Sequence, residues 1–241
     1  MSTSTSTTPP VNGSGNSAGV EGIADESWAS LWESESVVCR WLATLFSTEL
    51  TSDMLSRYSK GEAAPILELL RHECALEAEV KRLENALGGL TVLASAQLEL
   101  AADFAELFLV DARTSAPPYA SFWNDGERLF QSETAQRMAK RLAQSGFSVT
   151  REFNEPADHL AIMLEYLAFR CERLAGLGKG DRSEEFEYTR EYLRNELCNW
   201  LPAFASRCNQ ATTASDFYPA IAALTAGYCR QLADNSDRLA S

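Results

Sequence analysis

The chain has 241 residues, 45% of them hydrophobic, enough to bury one large core or two small ones. Thirty-four acidic residues against 21 basic ones give a formal charge of −13, which argues against nucleic acid, whose affinity comes from neutralised phosphates, and suits a basic peptide. No apolar run approaches the roughly 20 residues needed to span a bilayer, and the N-terminus has no basic and apolar leader and no twin-arginine pair, so the chain is expected to stay in the cytoplasm.

Residues 1–26, "MSTSTSTTPPVNGSGNSAGVEGIADE", are rich in Ser, Thr, Gly, Asn and Pro. They offer little to bury and read as a disordered tail. From Trp28 apolar residues recur every three or four positions through Leu31, Trp32, Val38, Trp41, Leu42, Leu45 and Phe46, which predicts a long first helix. Further helical windows are residues 52–70, split near Gly61 and Pro65, then 72–87, ended by Gly88 and Gly89, and then 93–110.

The stretch "DARTSAPPYASFWNDG" breaks the pattern, because its two prolines and small polar residues do not continue a helix. Tyr119, Phe122 and Trp123 then sit in a loop and need something to pack on. Helix is expected again over residues 132–144, stopped at Gly146, followed by a short extended "FSVTREFN". A helix then starts at Pro156 and runs to about Leu174, and "GLGKGDR" reads as a flexible connector. Two helices close the chain, residues 183–208 with a kink at Pro202 and residues 216–233. No strand alternation lasts more than a few residues, so the fold class is all-α, residues 27–235 form the helical domain, and a subdomain seam falls within residues 111–155.

One of only two histidines lies in "FNEPADHLAIMLEYLA", at an expected helix start. Pro156 fits a first helical turn with Asn154 or Glu155 as the cap, Asp158 sits near the positive end of the dipole, and His159 comes four residues after Glu155. A catalytic Asp158/His159 dyad fails on geometry, since adjacent helical side chains diverge by about 100°. A metal site is not expected: a bundle of the di-iron type needs Glu-x-x-His pairs on two helices, and neither His159 nor His72 supplies one. The six cysteines are scattered through apolar patterns with no C-x-x-C, and read as free thiols. No phosphate-cradling loop is present, since "GLGKGDR" lacks the downstream Ser or Thr.

Taken together, "VVCRWLATLFSTEL", "LELAADFAELFL", "PPYASFW" and "FNEPADHLAIMLEYLA" resemble, in order and spacing, the TorD/DmsD family of redox-enzyme maturation chaperones, over about residues 35–230. The family's E-P-x-D-H signature is matched by Glu155, Pro156, Asp158 and His159, and its P-Y-x-S loop by Pro118, Tyr119 and Ser121. Cys39 and Arg40 depart from the family, where a Tyr or Ala is common. The resemblance implies a non-catalytic chaperone with N- and C-terminal helical parts joined by a hinge, present as a monomer or a domain-swapped homodimer. Its implied partners are the twin-arginine signal peptide and the apo form of a molybdoenzyme, trimethylamine N-oxide reductase being closest in kind. Dimethyl sulfoxide reductase or another molybdoenzyme is the alternative client. The chaperone would hold its client for cofactor insertion and delay export.

A cationic peptide with an apolar stretch behind it needs carboxylates beside aromatics. The expectation is therefore one groove formed by Pro118, Tyr119, Ser121 and Trp123 with Glu155, Pro156, Asp158 and His159, where Asp158 or Glu155 lies near the arginines. The resemblance also carries weak guanine-nucleotide binding at Asp158 and His159, with no other cofactor. A rival reading, a weak GTPase that also uses Lys179 or Arg182, lacks both phosphate machinery and a nucleophile.

Overall fold

A computed structural model describes residues 18–72, 74–91, 95–110, 114–125, 132–148 and 153–241. The described residues form helices joined by short turns and contain no strand, so the all-α expectation holds. In chain order these are α1 (Ala18–Glu21), α2 (Asp25–Ser47), α3 (Ser52–Ser59), α4 (Ala64–His72), α5 (Glu77–Leu90) and α6 (Ala96–Phe104), which continues into a π-helical turn at Ala105–Leu109. After these come α7 (Ala120–Asn124), α8 (Glu133–Ser145), α9 (Leu160–Ala175) and α10 (Arg182–Tyr192) with a second π-helical turn at Leu193–Leu197, and then α11 (Leu201–Gln210) and α12 (Phe217–Leu239).

The centre of the molecule is the pairing of α2 with α9, the most extensive helix contact in the fold. Helix α2 buries the stripe read from the sequence, with Trp28, Trp32, Val38, Leu42, Leu45 and Phe46 inside. Helix α9 is buried on nearly every side, from Leu160 through Leu174, as expected of a helix with little polar face. Each fully buried Leu, Met or Phe here contributes about 1.5–3 kcal/mol over its exposed state. Trp28 fixes the register at one end: its indole N–H donates to Leu174 O at 2.6 Å, and its ring meets Trp32 edge-on.

Around this pair, α12 packs on α11 and α5. The Asp103 carboxylate takes the amide hydrogens of Ala214 at 2.7 Å and Ser215 at 2.9 Å, tying the loop before α12 to the end of α6. Local signals decide several ends. Thr51 caps α3 by accepting from Met54 N–H at 3.2 Å, and Ser132 caps α8 by accepting from Ala135 N–H at 3.2 Å. Helix α8 ends at Gly146, whose φ of 71° is the left-handed conformation that favours glycine.

Three boundaries differ from expectation. Helix begins at Ala18 rather than near Trp28, with Val20 buried and the Glu21 carboxylate accepting from Gly180 N–H and Ser183 Oγ–H; of the expected tail, residues 1–17 lie outside the described residues. Helix α5 runs through Gly88 and Gly89 to Leu90, because two glycines lower helix propensity without forbidding it. Near Pro202 there is no kinked single helix: a π-helical turn and three turn residues separate α10 from α11, and the proline sits in the first turn of α11, where its missing N–H costs nothing.

The "GLGKGDR" segment is not a loose connector. Arg182 is fully buried, with its guanidinium 4.7 Å from the Trp28 ring centre and donating to Ile23 O at 2.9 Å, Leu177 O at 3.1 Å and the Asp25 carboxylate. It clamps α1 and the start of α2 onto α10. Of the extended "FSVTREFN", residues 149–152 lie outside the described residues, as do residues 111–113 and 126–131 of the stretch where a seam is expected.

Candidate functional site

Helix α9 starts later than the proline suggests. Its cap is His159, with φ −66° and ψ 136°, and the first helical residue is Leu160. The imidazole Nδ1 accepts the Ala161 N–H at 3.2 Å, the task expected of Asn154 or Glu155. Pro156 lies instead in a preceding turn, closed by His159 N–H donating to Pro156 O at 3.0 Å. Because Glu155 is outside the helix, the expected i,i+4 approach to His159 does not form. Its carboxylate accepts the Tyr119 hydroxyl hydrogen at 2.7 Å.

The two motifs are bonded to each other along their backbones. Ala120 N–H donates to Asp158 O at 3.0 Å and Leu160 N–H to Pro118 O at 2.7 Å, making an isolated antiparallel bridge between Tyr119 and His159. The Asp158 carboxylate accepts the Ser121 amide hydrogen at 2.9 Å, which caps the short helix α7 from a distant part of the chain. The other Asp158 oxygen and the Ser121 hydroxyl are buried and find no partner among the described residues, so the polar demand of this junction is only partly met.

Aromatic rings close over the junction. The Tyr119 ring meets His159 edge-on at 5.0 Å between centres, and Phe153 meets the same imidazole at 5.2 Å. Trp123 donates its indole N–H to Pro117 O at 2.9 Å and rests against Phe122 and Phe204. Phe122 and Trp123 lie on α7 rather than in an irregular loop.

The expected site residues therefore come together, but they do not all face outward. Pro118, Ser121, Asp158 and His159 are buried; Tyr119, Trp123 and Pro156 are half-buried; Glu155 is exposed. Burial pushes the His159 imidazole down to about 4, so it is neutral at pH 7 and free to accept from Ala161. Burial, and then the adjoining Glu155 carboxylate, push the Tyr119 hydroxyl up, so it remains a hydrogen-bond donor. The Asp158 carboxylate is buried and holds a backbone amide, whereas the Glu155 carboxylate is exposed. Among the described residues no group of three or more His, Cys, Asp or Glu is placed to hold a metal ion.

A groove continues from this junction between α2 and α9, with a volume of about 510 Å³, and sequence reasoning missed it. Thr44, Ser47, Phe147, Phe153, Ile162 and Glu165 line it. Its one sequence signal is Glu165, a carboxylate in the middle of the apolar run "HLAIMLEYLA".

The sequence profile of the nitrate reductase delta subunit family matches residues 73–206. A chaperone protein TorD from Vibrio cholerae serotype O1 is 39% identical over 197 residues, covering 79% of this chain and 86% of that protein. A chaperone protein TorD from Escherichia coli O8 is 39% identical over 188 residues, covering 78% and 88%. The crystal structure of an Archaeoglobus fulgidus protein assigned to redox enzyme maturation overlays at a TM-score of 0.38 with 16% identity, covering 73% of this chain and 91% of that one, too loosely to add to the fold assignment. The resemblance carried by the E-P-x-D-H and P-Y-x-S motifs thus extends over most of the sequence: the chain belongs to the nitrate reductase delta subunit family and, within it, to the TorD chaperones, which makes it a chaperone rather than an enzyme.

Proposed function

We propose that this chaperone works in the cytoplasm on a single client, binding the twin-arginine signal peptide and the apo form of a molybdoenzyme, with trimethylamine N-oxide reductase as that client. Bound to the chaperone, the client stays competent for molybdenum cofactor insertion, and its export waits until the peptide is released. The observation that carries the peptide-binding part is the pairing of Tyr119 with Glu155, which leaves an exposed carboxylate beside a half-buried aromatic at the joint of the two family motifs. A guanidinium finds both a counter-ion and a ring face there.

The formal charge of −13 draws a basic peptide to the whole molecule, and Glu155 gives it a place to settle. No helix among the described residues is long and apolar enough to cross a membrane, in keeping with a role completed before export. Nucleotide is not part of the proposal, because the side chains of Asp158 and His159 are enclosed and committed to the junction.

The test is co-purification from cells expressing candidate reductases with and without their signal peptides. Recovery of cofactor-free trimethylamine N-oxide reductase, reduced when the signal peptide is deleted, supports the reading. Failure to recover any molybdoenzyme overturns it, and recovery of a different one reassigns the client.

A further inference from the structure

We infer that the groove between α2 and α9 seats one arginine side chain of the client's basic peptide, with the Glu165 carboxylate as its counter-ion. This rests on the peptide-binding reading above and names a subsite of the same surface. Four properties of the groove converge on a guanidinium.

Its floor is apolar, with Ala43, Phe147, Phe153 and Ile162 lining it, and its rim is hydroxylic, with Thr44, Ser47 and Thr48. Such a slot suits a side chain that is apolar along its stem and a planar donor at its tip. Among the described lining residues Glu165 is the only charged one, and its carboxylate favours a positively charged occupant.

The groove is also continuous with the motif junction, since Phe153 forms one of its walls and packs on the His159 ring. A peptide whose first arginine meets Glu155 and Tyr119 can pass over Phe153 and deliver a neighbouring arginine to Glu165. The two carboxylates would then divide the pair between them.

Glu165 is short of positive charge as it stands. Arg40 approaches it only to 3.7 Å and makes its closer ion pair with Glu172. Burial raises the Glu165 carboxyl above its usual range, and Arg40 offsets this only in part. A carboxylate half-withdrawn from water with a distant partner gains from a guanidinium brought to hydrogen-bonding range.

The experiment is a double-mutant cycle by isothermal titration calorimetry at low salt, using the full chain and a synthetic peptide with two adjacent arginines followed by the client's apolar stretch. Glu165→Gln is expected to raise Kd by roughly tenfold, the value of one charge-assisted hydrogen bond. Replacing one particular arginine of the peptide by glutamine should weaken wild-type binding by a similar factor and barely change binding to Glu165→Gln. Thermal unfolding of Glu165→Gln, a nearly isosteric change at a half-buried position, serves as the folding control.

Three results overturn the inference. In the first, wild-type protein binds the peptide and Glu165→Gln binds it equally well. In the second, both peptide arginines are as costly to remove with the variant as with wild type. In the third, Glu165→Gln changes only the oligomeric state by size exclusion, which would give the groove to a second copy of the chain. Absence of any wild-type binding would instead defeat the peptide-binding reading itself, and this subsite with it.

Discussion

The Asp158 carboxylate accepts the Ser121 amide hydrogen at 2.9 Å, and the Asp158 carbonyl accepts that of Ala120 at 3.0 Å, so one residue of the E-P-x-D-H motif holds the first turn of the helix that follows P-P-Y. Asp158→Ala would leave a buried amide unpaired, at a cost of about 1–3 kcal/mol. Thermal unfolding should show a Tm lower by several degrees. Peptide affinity should fall as well, because Tyr119 and Glu155 lose their mutual placement. Unchanged Tm together with lost peptide binding would mean that Asp158 acts on the ligand directly.

His159 makes the fold sensitive to acid. Its folded value of about 4 lies below the 6.5 of an unperturbed imidazole, so the unfolded chain binds the extra proton first. Stability from the neutral ring is fully present above pH 6.5 and is lost as pH falls toward 4, by up to about 3 kcal/mol. Urea midpoints measured between these pH values should drop as pH falls, and the drop should shrink in His159→Asn, which keeps a capping acceptor without titrating. An equal drop in the variant would assign the effect to other groups.

Arg182 should behave as a structural residue despite its place after a glycine-rich run. Arg182→Met keeps much of the stem but leaves Ile23 O, Leu177 O and Asp25 without their donor, and removes the cation over Trp28. The expected cost is roughly 2–4 kcal/mol, with the exposed Asp25 keeping it below that of a wholly buried ion pair. Hydrogen exchange should speed up in α1 and the first turns of α2 before it does in α12.

In the subsite inferred above, Arg40 competes with an incoming arginine for Glu165. Arg40→Gln should therefore bind a twin-arginine peptide more tightly, by a factor of roughly 2–5, with stability changed by less than about 1 kcal/mol because water still reaches nearly half of each side chain in both of its ion pairs. Weaker binding in this variant would show that Arg40 supports the groove rather than competing for it.

What could be read from the sequence was whatever depends on near neighbours. The stripe of Trp28, Trp32, Leu42, Leu45 and Phe46 gave α2, and Ser132 with Gly146 bounded α8, because periodicity and capping act within a few residues. The start of α9 was not legible in the same way. "NEPADH" holds several plausible caps, and the choice went to His159 because the Ser121 amide, 37 residues away, claims Asp158. Arg182 was misread for the same reason: its partners Asp25 and Ile23 lie more than 150 residues earlier.

The π-helical turns after α6 and α10 leave no trace in a pattern of three- and four-residue spacings. Of the site, the sequence identified which residues meet. It did not reveal that Asp158 and His159 face inward and Glu155 outward, since a carboxylate's exposure depends on what the rest of the chain lays over it.

The central claim is that the junction presents Glu155, and not Asp158, to a basic export signal. Calorimetric titration of a twin-arginine peptide into wild-type protein and Glu155→Gln tests this directly. The account predicts measurable wild-type binding, weakened roughly tenfold in Glu155→Gln with its Tm within about two degrees of wild type. Binding that is unchanged when Glu155 loses its charge would contradict it.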